Sequence, residues 1–300
     1  MTPRRLDLLD PYEVAQLGGI ELTAEGVVEG FLAGIHRSPF RGFSVEFAEH
    51  RPYHLGDELR YVDWRMLARS DKLFVKQYEE ETNLRSMIVL DASASMNWAG
   101  AENRLTKLEY SKRLAAAIGL VLMGQRDATG FIGFDEEVRT VLPARVQTRQ
   151  WSTFMHAVAD LPPGKGTAAE PALRRVTDLL RRRGLVIFLS DLLFDRDLAL
   201  LALQYLRHRG HQVVVFHIMD PAELTLEGPP EARFQDPETG QLLVARPREL
   251  RRMYEETVKE AISTWRTQCR RGGLAYHHVL TTTPFGLVLR QAASRRARVG

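Results

Sequence analysis

Three hundred residues with 44% apolar and 26% charged side chains suffice for one large domain or two ordinary ones and exclude a disordered or fibrous chain. The net charge is only +3, with six lysines among 41 basic residues and acids interspersed throughout. No zinc finger or basic stripe with interleaved aromatics accompanies it, so nucleic-acid binding is excluded.

The N-terminus lacks the apolar core of a signal peptide, and no apolar run approaches the roughly 18 residues of a membrane span. The single cysteine, Cys269, rules out an internal disulfide framework and fits a reducing compartment. A cytoplasmic chain without a transmembrane segment is expected. Residues 1 to about 36 carry helix-like spacing: Pro11 opens one segment, Thr23 can cap the next, and Val27, Val28, Phe31, Leu32 and Ile35 share a face. From Ser38 to about residue 70 the pattern is irregular and rich in Arg, His, Asp and aromatics. Such a stretch cannot form its own core and is expected to drape over a sheet. Leu73 to Tyr78 reads as an edge strand, followed by Glu79, Glu80 and Glu81.

Alternation of strands and helices then begins. Strands are expected at Ser86 to Leu90, Thr129 to Phe134, Val138 to Leu142, Leu185 to Leu189 and Val213 to Ile218. Helices are expected at Leu105 to Met123, Arg149 to Leu161, Thr167 to Arg182 and Arg196 to Arg207. Phe234 to Val244 reads as a hairpin turning at residues 237–240, and Glu249 to Arg270 as a long helix. Ala275 to Leu280 adds a strand and Thr283-Pro284-Phe285 a closing turn; the basic stretch from Arg290 to Arg298 reads as a frayed end or a weak electrostatic contact. This pattern predicts an α/β fold: a doubly wound, mainly parallel sheet with helices on both faces. An N-terminal helical and irregular extension and a C-terminal hairpin and helix flank it, dividing the chain at residues 1–80, 81–220 and 221–300.

The chemistry concentrates at Asp91-Ala92-Ser93-Ala94-Ser95. A buried strand runs straight into an acid and two hydroxyls at alternate positions. Oxygen side chains at the C-terminal mouth of a sheet suit a hard divalent cation, although an Asp and a Ser could equally cap the following helix. Thr167, after the loop Gly164-Lys165-Gly166, and Asp191, at the end of another buried strand, open toward the same crevice. Asp91, Ser93, Ser95, Thr167 and Asp191 together form an oxygen set for Mg²⁺ (or Mn²⁺) that leaves room for an outside carboxylate.

At these residues the stretch from about 86 to 220 resembles a von Willebrand factor A domain, whose metal-dependent adhesion site uses Asp-x-Ser-x-Ser, a distant Thr and a distant Asp. Upstream, Arg51, Tyr53, Gly56, Asp57, Arg60, Asp63, Trp64, Ala68 and Arg69 stand at spacings similar to the segment that defines the bacterial DUF58 family. That segment is either a structural clamp of buried aromatics and ion pairs or a docking surface; paired Arg and Asp with Trp and Tyr favour the clamp. The resemblance implies a non-enzymatic, metal-dependent protein-binding adaptor working with a MoxR-type AAA+ ATPase in the maturation or remodelling of other proteins.

Rival chemistries find less support. Gly164-Lys165-Gly166-Thr167 has a glycine where a phosphate loop needs Ser or Thr directly after Lys. Ser93 and Ser95 lack the flanking glycines of a nucleophile elbow, and the nine histidines form no His-Glu-x-x-His. Two alternatives stay open: a metal-dependent hydrolase acting through Asp91 and Asp191 with a bound water, and a structural scaffold whose site is vestigial.

Overall fold

A computed structural model describes residues 45–53, 63–64, 66–67, 73–80, 85–147, 150–164, 169–226, 231–235 and 241–294. These fall into two compact units, one within residues 38–83 and the other over residues 84–300. The expected N-terminal helices lie outside the described residues.

In the smaller unit, β1 (Val45–Pro52) pairs antiparallel with β2 (Phe74–Glu80), with a register slip between Phe47 and Glu49. The pairing continues past the strands through Tyr53 N–H to the Leu73 carbonyl at 3.0 Å. A strand at residues 45–52 corrects the irregular reading of this stretch. Its acids and histidine mask the alternation of Val45 and Phe47, and the bulge breaks the period of two.

The larger unit is built on β3 (Arg85–Asp91), α1 (Lys107–Gly124), β4 (Ala128–Phe134), β5 (Val138–Arg145), α2 (Gln150–Ala159), α3 (Ala169–Leu179), β6 (Leu185–Ser190), α4 (Arg196–His208), β7 (Gln212–Met219), β8 (Ala232–Gln235), β9 (Leu242–Ala245), α5 (Pro247–Arg271), β10 (Ala275–Leu280) and α6 (Phe285–Ser294). Six strands form one sheet in the order β10-β7-β6-β3-β4-β5. All neighbours are parallel except β4 and β5. The expected doubly wound, mainly parallel α/β sheet is therefore present. β8 and β9 form the hairpin expected ahead of the long helix.

The sheet has two apolar faces because side chains alternate along each strand. Ile88, Leu90, Phe131, Ile187 and Leu189 face α1, α2 and α6. Val89, Ile132, Phe134, Val186 and Phe188 face α3, α4 and α5. β3, β4 and β6 are thus covered on both sides, as near-continuous apolar runs require. Two elements differ from expectation. β5 runs to Arg145 rather than Leu142, because Pro143 sits on an edge strand, where its missing N–H breaks no ladder bond. Past Pro284 the chain forms α6 rather than a turn: Phe285 and Val288, three apart, bury against Tyr110 and its neighbours.

Candidate functional site

The C-terminal mouth of the central strands gathers the site. Asp91 closes β3, fully buried, and its Oδ1 accepts the Ser93 N–H at 2.9 Å. This turn lifts the chain out of the sheet into a short 3-10 helix, Ala94–Asn97, and leaves the Ser93 and Ser95 hydroxyls 3.1 Å apart. Both serines are buried. One strand over, Ser190 closes β6. Its hydroxyl donates to Asp91 Oδ2 at 2.6 Å and accepts the Leu192 N–H at 2.9 Å. Leu192 has φ +57°, a left-handed backbone that costs a side chain about 1–2 kcal/mol. The Leu192 and Leu193 N–H groups, held by Ser190 Oγ and Asp191 Oδ1, fix that conformation and aim Asp191.

The other oxygen of Asp191 meets a cation that belongs to the chain. Lys107, at the first turn of α1 and 1% exposed, donates to Asp191 Oδ2 at 2.8 Å and to Glu223 Oε1 at 2.5 Å. Glu223 is placed by a capping box at Asp220, where the short helix Pro221–Leu224 begins. Asp220 in turn accepts from Arg104 at 2.7 Å and from the Thr281 hydroxyl at 3.2 Å. Burial pulls the Lys107 ammonium down, but Asp191 and Glu223 outweigh it and its pKa lies above the ordinary lysine value. Burial pushes the Asp91 carboxyl up to about 7, helped by the negative charge of Asp191 and opposed by the bonds from Ser190 and Ser93. His217, behind the mouth on β7, is driven down to about 3 by burial and by His278; it is neutral and adds no charge.

Four of the five residues read from sequence as metal ligands, Asp91, Ser93, Ser95 and Asp191, therefore stand together at this mouth. Thr167 lies outside the described residues. The loop leading to it is anchored here: Gly164 N–H donates to the Ala92 carbonyl at 2.6 Å. A Cβ at Gly164 would meet Asp135 Cβ at 2.6 Å and the Ala92 carbonyl oxygen at 2.8 Å, so only glycine allows the approach.

Of the upstream segment, Gly56, Asp57, Arg60 and Arg69 lie outside the described residues, as does the side chain of Arg51. Tyr53 is half-buried. Asp63 is buried and accepts the Met66 N–H at 3.1 Å, starting a helical turn. Trp64, next to it, is 58% exposed. The buried Trp anchor is thus corrected: the turn that Asp63 caps buries the acid and leaves its neighbour outside.

Lys107, Glu223 and Ser190 were missed by sequence reasoning. A signal for Lys107 existed, since it shares a helical stripe with the buried Ser111, Leu114 and Ile118. Glu223 belongs to an Asp-Pro-Ala-Glu capping box.

The donor set suits a hard divalent cation. Adjacent octahedral ligands about 2.1 Å from Mg²⁺ stand roughly 3 Å apart, close to the 3.1 Å between the two serine hydroxyls. The charge of Asp91, set in a dry site beside Asp191, is what a cation would relieve. Among the described residues, no group of three or more His, Cys, Asp and Glu side chains gathers as a metal cluster. A cation here would depend on hydroxyls as much as on carboxylates.

The family model described as "Protein of unknown function DUF58" matches residues 49–263. Uncharacterized proteins of Mycobacterium bovis and Mycobacterium tuberculosis are 30% identical over 246 residues, 79% of this chain and 74% of theirs. Among solved structures, BatB of Bacteroides thetaiotaomicron shares 21% identity over 72% of this chain and 99% of its own, with a TM-score of 0.45. An aerotolerance-related membrane protein of Bacteroides fragilis shares 20% over 71% of this chain and 99% of its own, at 0.46. The von Willebrand factor A domain of SpRpn10 shares 12% over 69% and 94%, at 0.41. Among the described residues, no helix is long and apolar enough to cross a membrane.

Proposed function

This chain belongs to the DUF58 family, and on that premise we propose that it is a non-enzymatic protein-binding adaptor whose mouth captures an acidic residue of a partner through a divalent cation. The observation that carries this reading is the pair of buried hydroxyls, Ser93 and Ser95, 3.1 Å apart beside the buried Asp91. Ser93, Ser95, Asp91 and Asp191, with Thr167, would hold Mg²⁺ or Mn²⁺. A bound cation supplies a coordination position open to an outside carboxylate. The chain's own work is to hold the donors still: Ser190 locks Asp91, and Lys107 and the Leu193 N–H lock Asp191. The proposed partner is a MoxR-type AAA+ ATPase, supported by family membership.

Asp91→Ala is expected to abolish cation-dependent capture of that ATPase while the circular dichroism spectrum stays unchanged. A variant that still bound the ATPase with EDTA-insensitive affinity would overturn the reading. A second reading, a metal-dependent hydrolase, would use the same buried carboxylates, Asp91 and Asp191, to hold a cation that activates a water. Against it, the donor set offers the Ser93 and Ser95 hydroxyls beside the carboxylates, a shell that would activate a bound water only weakly. Sustained Mn²⁺-dependent turnover of phosphoester or ester substrates, lost in Asp91→Ala, would decide for the enzyme.

A further inference from the structure

At the opposite end of the same sheet lies a cavity of about 310 Å³. Its cause is helix length. α3 has 11 residues, roughly 16 Å, whereas the seven residues of β4 span roughly 23 Å. The helix stops at Leu179 and leaves the N-terminal part of the sheet face uncovered. The connection to β6 cannot swing across to fill the gap, because Gly184 is pressed against β3: a Cβ there would lie 2.1 Å from the Arg85 carbonyl oxygen.

Its lining combines the apolar Met87, Ile132, Val141, Leu179 and Val186 with three arginines, Arg85, Arg181 and Arg182. Val141 is 46% exposed, so part of that lining is apolar surface facing water. Among the described residues the three arginines form no ion pair; Arg85 donates to the Ala144 carbonyl at 3.3 Å. None of the 15 lining residues is acidic. The volume equals roughly ten waters and falls at the small end of ligand sites. A neutral hydrocarbon would make no use of the arginine charge, and a bare inorganic anion would leave the apolar lining wet. An acid with an apolar body satisfies both, because a guanidinium meets a carboxylate with two parallel N–H bonds.

We propose that this cavity binds a small organic carboxylate with an apolar body. The site is independent of the mouth and of any cation held there.

The test titrates the full chain with decanoate, followed by calorimetry and by the methyl NMR signals of Met87, Ile132 and Val141. One-to-one saturable binding is expected, with those methyl signals shifting. Arg181→Gln/Arg182→Gln is expected to weaken binding roughly tenfold or more, the loss of charge-assisted hydrogen bonds. Val141→Asp, at a position already exposed and therefore safe for folding, is expected to weaken it likewise. The proposal falls if decanol binds as tightly as decanoate, or if inorganic phosphate shifts the same signals at equal concentration. It also falls if the folded arginine variants bind unchanged, or if no saturation appears up to the order of 10 mM.

Discussion

The two ends of one sheet have opposite chemistry. At the C-terminal mouth, buried carboxylates and hydroxyls are packed around an internal ammonium, and hydrogen bonds fix every acid oxygen of Asp91 and Asp191. At the N-terminal end the sheet meets a partly open cavity lined by apolar side chains and three arginines, with no acid. Both ends are made by the same strands: β3 begins at Arg85 and ends at Asp91. Seven residues of extended chain hold the two ends about 23 Å apart, well beyond the roughly 8–10 Å over which salt leaves exposed charges in contact. The difference teaches that one parallel sheet can present two chemically unrelated ends.

The largest expected effect breaks the mouth alone. Lys107→Met leaves the buried Asp191 and the half-buried Glu223 without their cation, and is expected to lower stability by about 3–5 kcal/mol in urea denaturation. Asp191→Asn added to that variant is expected to recover part of the loss. Decanoate binding to the folded fraction should not change. A loss below about 1 kcal/mol would mean that the mouth's charges are solvated rather than coupled.

A matched pair of glycine changes probes the ends in parallel. Gly164→Ala drives a methyl against Asp135 and the Ala92 carbonyl at the mouth, and Gly184→Ala drives one against the Arg85 carbonyl at the other end. Each is expected to cost about 1–3 kcal/mol, as overpacking does. Gly164→Ala should disturb the amide NMR signals of residues 91–95, and Gly184→Ala those of the cavity. A shared pattern of shifts would show that the ends are coupled.

The smallest effect is the share of the pH dependence that His211 contributes at the cavity end. His211, buried, bonds through Nε2 to the Leu180 carbonyl. Burial holds its pKa below the ordinary 6.5, outweighing that bond. The unfolded chain therefore takes up the proton first as pH falls. Its contribution to stability is full above about pH 6.5 and declines below it. Comparing denaturation midpoints from pH 8 to 5.5, His211→Gln is expected to show the shallower decline; equal slopes would remove His211 from the account.

Much of the sheet was legible because its strands are apolar on both sides and end abruptly at polar residues. Leu185 to Leu189 and Ala275 to Leu280 could be read almost to the residue. Asp91, Ser93, Ser95 and Asp191 were legible for the same reason: each follows a buried strand directly. Lys107 was not, since a lysine in a helix is ordinarily solvated; only the burial of Ser111 and Leu114 on its stripe reveals its direction. β1 escaped because its polar residues and bulge erase the period of two, and α6 because Pro284 reads as a stop when it is a start. The cavity had no sequence signature at all. It arises from a mismatch in length between α3 and the strands beneath it, a property of packing rather than of any motif.

Pro143 carries one last consequence. β5 is the outer strand of the sheet, with Val141 and Val146 exposed at 46% and 53%, and a bare strand with such a surface invites a second chain to zip onto it. A proline offers no N–H to that zipper, and Arg139 and Arg145 place like charges along the same edge. Any redesign that smooths this strand into a regular one would restore the missing donor and with it an edge open to strand pairing.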